Sequence, residues 1–169
     1  MVVARVHVRP MTDEDRPWAL HLIETSWGGL QMVSRGVLYD MRLFPGLVAW
    51  IRGKRAGLLT YRLDEGECEV MSLNSVVEGA GVGTALLRAV EDLARAAGCR
   101  RVFLITTNDN LNALGFYQRR GYRLVALRPG AVDEARRRLK PSIPEEGFNG
   151  IPLHDELELE MPLRRSRRI

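Results

Sequence analysis

Residues 73–87 read Leu-Asn-Ser-Val-Val-Glu-Gly-Ala-Gly-Val-Gly-Thr-Ala-Leu-Leu, an apolar strand that breaks into glycines and reopens as a helix. Glycines at 79, 81 and 83 remove Cβ atoms where a backbone must come close to a ligand. The helix predicted over 84–97 adds unpaired N–H groups and a positive dipole end. Such a cradle suits a pyrophosphate. Any fold for this chain must therefore bring a strand end and a helix start to the same ligand.

The flanking segments supply the rest of a sheet. Val3, Arg5, His7 and Arg9 alternate with Ala4, Val6 and Val8, as in a half-buried strand over 3–9. Thr12 is placed to cap a helix, with Asp13, Glu14 and Asp15 in its first turn, Pro17 near its start and Gly28-Gly29 as its stop. Trp18, Leu22 and Ile23 recur there at helical spacing. A second amphipathic helical piece is predicted over 30–43, ended by Pro45-Gly46. Strands follow over 47–52 and 56–63 about a Gly53-Lys54-Arg55 turn, and a third over 67–76 after Asp64-Glu65-Gly66.

Gly98 closes the glycine-led helix, and 101–107 is a nearly continuous apolar run, as in a strand covered on both faces. Asp109 and Asn110 are cap candidates for a helix reaching Arg120, Gly121 stops it, and a strand runs over 122–127. A helix over 131–139 and a Pro- and Gly-rich loop over 141–152 precede a last, edge-like strand. In it Leu157, Leu159 and Met161 alternate with Glu156, Glu158 and Glu160. The apolar face must be covered, by the chain's own sheet or by a second copy in a homodimer. The order of elements is that of a mixed α+β sheet protein.

With 169 residues, 46% of them hydrophobic, the chain suits a single domain over 1–163 followed by a basic tail over 164–169. Arg164, Arg165, Arg167 and Arg168 account for the whole net charge of +4, so the body is neutral and no nucleic-acid partner is expected. Cys68 and Cys99 offer neither metal-ligand spacing nor a disulfide framework, so we expect no metal and a reduced, cytoplasmic protein. Neither a leader nor an apolar stretch of about 18 residues is evident, so neither secretion nor membrane association is expected.

Two motifs in this order resemble the GNAT superfamily of acyl-CoA-dependent N-acetyltransferases. One is the acyl-CoA pyrophosphate loop, Arg or Gln, two residues, Gly, one residue, Gly or Ala, here Glu78-Gly79-Ala80-Gly81-Val82-Gly83. The other is Asn110 through Tyr122, which follows the family's Asn, two residues, Ala, two residues, aromatic-Tyr, three residues, Gly-aromatic pattern. The likeness is tight over 67–127 and topological before it. Glu78 departs from the family, standing where a cation or amide is usual; several backbone N–H bonds can exceed its cost of about 1 kcal/mol.

The resemblance implies a mostly antiparallel central sheet of six to seven strands flanked by helices. It implies acetyl transfer from acetyl-CoA to an amine-bearing acceptor, small molecule or peptide, in a ternary complex. The cofactor contacts it implies are Leu73, Asn74, Ser75, Gly79, Ala80, Gly81, Val82, Gly83, Thr84, Ala113, Phe116 and Tyr117, with Asn110 either touching the cofactor or capping its helix. Tyr117 corresponds to the tyrosine that can protonate the CoA sulfur. For the base, Glu67 and Glu69 lie two apart on one strand and share a face, with His154 or unaided deprotonation of the amine as alternatives. Acceptor recognition maps to Trp27, to Ser34 and Arg35, and to the loop over 140–152, with His154 as a further acceptor contact. A Rossmann reading fails because no acidic residue stands about 20 residues beyond the glycines, and a P-loop lacks its Gly-Lys-Ser/Thr. The competing reading is a binding module that keeps acyl-CoA affinity without turnover, as a sensor or partner-binding subunit.

Overall fold

A computed structural model describes residues 4–164. Val3 and all of the predicted tail beyond Arg164 lie outside the described residues. The strands are β1 (His7–Pro10), β2 (Gln31–Ser34), β3 (Val37–Asp40), β4 (Gly46–Ile51), β5 (Lys54–Asp64), β6 (Glu67–Ser75), β7 (Arg101–Thr107), β8 (Arg123–Arg128) and β9 (Glu156–Pro162). The helices are α1 (Arg16–Trp27), α2 (Val82–Ala96), α3 (Leu111–Arg119) and α4 (Ala131–Arg138). Seven strands form one sheet in the order β1-β4-β5-β6-β7-β9-β8, and β2 pairs with β3 alone. This is the mixed, mostly antiparallel sheet with helices that the resemblance implies.

The chain divides into two compact units, one comprising residues through Leu30, Asp40–Val102 and Pro162 onward, the other Gln31–Tyr39 and Phe103–Met161. In the first, β1, β4, β5 and β6 are antiparallel neighbours. β4 and β5 turn at Arg52-Gly53, and β5 and β6 at Glu65-Gly66; all four residues have positive φ, the requirement of a two-residue hairpin turn whose twist matches its strands. α2 covers this meander with Val82, Leu86, Leu87, Val90 and Ala94, all buried at helical spacing. Each fully buried Leu or Val of that stripe contributes about 1.5–3 kcal/mol.

The helix fits so closely because β5 has no side chain at Gly57. A Cβ there would run into Val82 Cγ1, and would lie 2.8 Å from the Asn74 carbonyl oxygen and 3.1 Å from Leu86 Cδ1. β6 carries one extra residue, Met71, where the register with β5 shifts between Thr60 and Tyr61, and just beside it the hydroxyls of Thr60 and Ser72 meet at 2.6 Å. Cys68 and Cys99 are free and buried in this unit, and burial pushes the Cys68 thiol up to about 12.

The second unit packs Phe103, Leu104, Tyr117, Tyr122, Val132, Ala135 and Leu159. Within it β9 pairs antiparallel with β8, Arg123 opposite Glu160 and Arg128 opposite Glu156.

Several sequence expectations need correction. The helical piece expected over 30–43 is the β2–β3 hairpin followed by one 3-10 turn, Met41–Leu43. Arg35-Gly36, both at positive φ, makes the same kind of turn as its two counterparts, and β-branched and aromatic Val33, Val37 and Tyr39 favour strand. β1 is shorter than 3–9 and begins at His7. The residue at the N-cap of α1 is Asp15, not Thr12; the Thr12 amide and hydroxyl both donate to its carboxylate. α2 starts at Val82, so Val82, Gly83 and Thr84 form its first turn rather than the loop. β9 is no edge: it lies between β7 and β8, and Glu156 and Glu158 are buried rather than solvated, Glu158 paired with Arg128 of β8 at 2.8 Å.

Candidate active site

In the first unit the chain leaves β6 through Val76, whose amide still donates to the Ala56 carbonyl. The Ser75 hydroxyl then bonds the Val77 carbonyl at 2.7 Å and folds the backbone back on itself. Gly79 and Gly81 both take left-handed φ, 71° and 76°, with open space where a Cβ would stand, so they are needed for conformation and leave the loop surface bare. Gly81 is the N-cap of α2; it supplies no capping side chain, and the first turn holds no acid. A helix start with glycine at its cap and no carboxylate in its first turn directs backbone N–H groups and a partial positive charge outward, and that suits a diphosphate. Glu78, Gly79 and Gly81 are exposed, Ala80, Gly83 and Thr84 half-buried, and Val82 is anchored in the core.

Leu73 and Asn74, half-buried, and Ser75, exposed, end the strand beside this loop. The Trp27 indole N–H donates to the Asn74 side-chain oxygen at 3.2 Å, so two sequence candidates from distant positions meet at the last turn of α1. The carboxylates lie farther along β6, Glu69 about 20 Å of extended strand before Ser75 and Glu67 at the opposite end. Glu69 is buried and bonds Arg62 at 3.1 Å, while Glu67 pairs with Arg101 at 3.2 Å and Arg100 at 3.6 Å. Both are committed to arginines of their own unit.

In the second unit Asn110 caps α3, its side-chain oxygen accepting the Ala113 amide at 3.2 Å. Ala113 and Phe116 are half-buried and Tyr117 is buried. The Tyr117 ring sits edge-on to Phe116 and to Tyr122, with centroids 5.2 and 5.7 Å away. Burial pushes its hydroxyl well above the usual phenol range, so it keeps its proton throughout the neutral range.

Ser34 is buried at the end of β2, and Arg35 forms the turn after it. The Arg35 amide donates to Glu156 at 3.3 Å and its guanidinium lies 4.6 Å from the Phe103 ring centre. Lys140 reaches back to the Gln31 carbonyl at 2.7 Å, tying the loop over 141–152 to the hairpin. Arg136 holds that loop by the carbonyls of Ile143, Pro144 and Leu153 at 2.8–2.9 Å. Buried Asp109 accepts the Phe148 amide at 2.8 Å and the Thr107 hydroxyl, packed so closely on Gly147 that no Cβ fits there. His154, half-exposed, contacts Asp155 at 2.7 Å. Ser34, Arg35 and His154 lie in this unit, while Trp27 belongs to the other.

The profile of the Acetyltransferase (GNAT) family matches residues 13–122, about two thirds of the chain. The chain belongs to the GNAT acetyltransferase family. Two Bacillus subtilis relatives of this GNAT chain are YdhI, 46% identical over 132 residues that cover 78% of the chain and 82% of that protein, and YxbD, 44% identical over 139 residues covering 82% and 87%. The GNAT fold recurs in the IAA acetyltransferase of Bacillus cereus, at TM-score 0.70 and 21% identity over 94% of this chain and all of that one. It recurs too in an acetyl-CoA-bound GNAT acetyltransferase of Elizabethkingia anophelis, at TM-score 0.68 and 19% identity over 94% and 98%. Among the described residues of this GNAT chain no group of His, Cys, Asp and Glu could hold a metal ion, and no helix is long and apolar enough to cross a membrane.

Three contributors escaped the sequence reading. Gly57 had a visible signal, a glycine inside an apolar strand, which often marks close backbone approach. Asn108 and Arg136 had none, because their partners are carbonyls and amides of the 141–152 loop and its exit.

Proposed function

We propose that this chain transfers an acetyl group from acetyl-CoA to a primary amine by direct attack within a ternary complex. The observation that carries the reading is the bare glycine turn at Gly79 and Gly81 feeding the α2 N-terminus with no carboxylate in its first turn. The backbone around Val82, Gly83 and Thr84 receives the pyrophosphate, and the end of β6 at Leu73, Asn74 and Ser75 holds the pantetheine arm and polarises the thioester carbonyl. The amine nitrogen forms the new bond to the carbonyl carbon as the carbon–sulfur bond breaks. Tyr117, buried and protonated, supplies the proton to the departing sulfur, and the proton that the amine nitrogen loses as the amide forms replaces it, so the products are the acetamide and the CoA thiol. The ion pairs of Glu67 and Glu69 give neither a base role any support.

Calorimetric titration of the protein with acetyl-CoA and with CoA tests the cofactor claim, repeated on Gly81→Asp with circular dichroism to verify the fold. Micromolar binding by the wild type and its loss in the folded variant is the expected outcome. Wild type that binds neither nucleotide would refute the reading. Binding without thiol release in the presence of any amine would instead favour the non-catalytic acyl-CoA module.

A further inference from the structure

We propose, on the basis of the acetyl-transfer reading above, that Trp27 closes the acyl pocket and sets the length of the group transferred, so that the protein takes acetyl-CoA and rejects thioesters of longer chains such as hexanoyl-CoA.

Every residue involved lies in the first compact unit, together with the glycine turn. Side chains alternate across β6: Leu73 and Ser75 register with Leu59 and Gly57 of β5, and Ser72 and Asn74 with Thr60 and Leu58. The face that holds Gly57 is filled, since a Cβ there would meet Val82 and Leu86 of α2. With α2 packed against that face, the room for an acyl group at the strand end is on the other, the Asn74 face.

α1 covers this second face. Ala19, Ile23 and Trp27 recur every four residues and form one stripe of the helix. Ala19 and Ile23 are each 1% exposed, whereas Trp27, the last residue of α1, is half-buried. The stripe thus passes from core to a partly open ring at the level where β6 ends. The indole N–H donates to Asn74 Oδ1 at 3.2 Å, which fixes the ring beside the last residues of the strand. Gly28, at φ 75°, stops the helix, and its amide donates to the Glu24 carbonyl at 3.0 Å, so the ring is carried on a closed helix end. Deeper on the same face the Thr60 and Ser72 hydroxyls bond each other at 2.6 Å. The mouth is therefore bounded by an indole whose one polar atom is already engaged. Such a wall suits a methyl group and gives a longer chain no further depth.

A pocket that lacks room for a methylene discriminates against it by about 10- to 200-fold, whereas each methylene that finds apolar cover improves affinity about four-fold. Removal of the indole should therefore abolish or reverse the preference.

Calorimetric titration with CoA, acetyl-CoA and hexanoyl-CoA tests this without an acceptor amine, on wild type, Trp27→Ala and Trp27→Phe, each checked for fold by circular dichroism. The readout is the ratio of the Kd for hexanoyl-CoA to the Kd for acetyl-CoA, in which any general loss of nucleotide affinity cancels. The ratio should be about 10 or more for wild type and about 1 or below for Trp27→Ala. Trp27→Phe, smaller and without the N–H, should give an intermediate value. A ring that merely packs would leave the ratio unmoved. Wild type that binds both thioesters equally, or Trp27→Ala that keeps the wild-type ratio, would overturn the inference; where the alanine variant does not fold, an unchanged ratio in Trp27→Phe does so. Wild type that binds no form of CoA would overturn instead the acetyl-transfer reading beneath it.

Discussion

Replacing Gly57 by alanine tests whether the α2 N-terminus is seated by the missing side chain of β5. The new methyl group would overlap Val82 Cγ1 and stand 2.8 Å from the Asn74 carbonyl oxygen, a backbone atom that cannot rotate away. Restoring ordinary contact with that oxygen alone needs about 0.6 Å of movement, since van der Waals contact begins near 3.4 Å. Overpacking of this kind costs about 1–3 kcal/mol. Alanine recovers about 0.4–1 kcal/mol by restricting the unfolded chain. The net loss is about 1–2 kcal/mol, or about 2–8 °C in Tm for a chain of this length. Because the displaced atoms are Asn74 at the end of β6 and Val82 in the first turn of α2, acetyl-CoA affinity should fall together with stability. Thermal denaturation and calorimetric titration of the same preparation measure both. A variant with wild-type Tm and wild-type affinity would refute the argument, and one that loses stability but keeps affinity would detach the close fit of α2 from nucleotide binding.

Tyr117→Phe removes only a hydroxyl and should slow acetyl transfer about 10²- to 10⁴-fold while the Kd for CoA stays within a few-fold; unchanged turnover would exclude Tyr117 as the acid. Asp15 predicts an acid limb in stability. Burial raises its carboxyl, but hydrogen bonds from Thr12 and from Arg55, the latter at 2.9 Å, outweigh this and the net direction is downward. A lowered folded value means stability that is fully present above the unfolded pKa of about 4 and is lost as pH falls through the lower folded value. Thermal melts from pH 6 to pH 2 should therefore decline less steeply for Asp15→Asn than for wild type, and parallel declines would count against the pair.

The cofactor cradle was legible because its signals are local. Glycines at 79 and 81 report a backbone conformation that few other residues adopt, and the apolar spacing of α2 reports a face, so loop, helix and preceding strand emerge from sequence positions within about twenty residues. The likeness of Asn110 through Tyr122 to a known motif was equally local, and the cap that Asn110 makes on Ala113 is three residues long. The region over 30–43 was misread for a matching reason. Its apolar residues fit a helix as well as a hairpin, and only Arg35-Gly36 tips the balance, a two-residue signal against fourteen residues of ambiguous period.

Short-range signals in the chain were enough for the elements around the glycine turn, the neutral body, and the family to which the chain belongs. What each carboxylate does depends on partners that folding brings from distant positions. Glu67 and Glu69 alternate on β6 like a reactive face, yet arginines from β5, from β7 and from the residue just before β7 occupy them. Glu156 and Glu158 read as the wet side of an edge strand, yet both are buried, Glu158 against Arg128 at 2.8 Å and Glu156 against the Arg35 amide at 3.3 Å. Asp155 attracts no notice in the chain, yet it faces His154 and the N-cap of α4 because Asn108, more than 40 residues earlier, fixes the backbone of both. Propensity and pattern act over one or two turns of chain, whereas the partner of a charge is whichever residue the sheet order and its crossovers bring within about 4 Å.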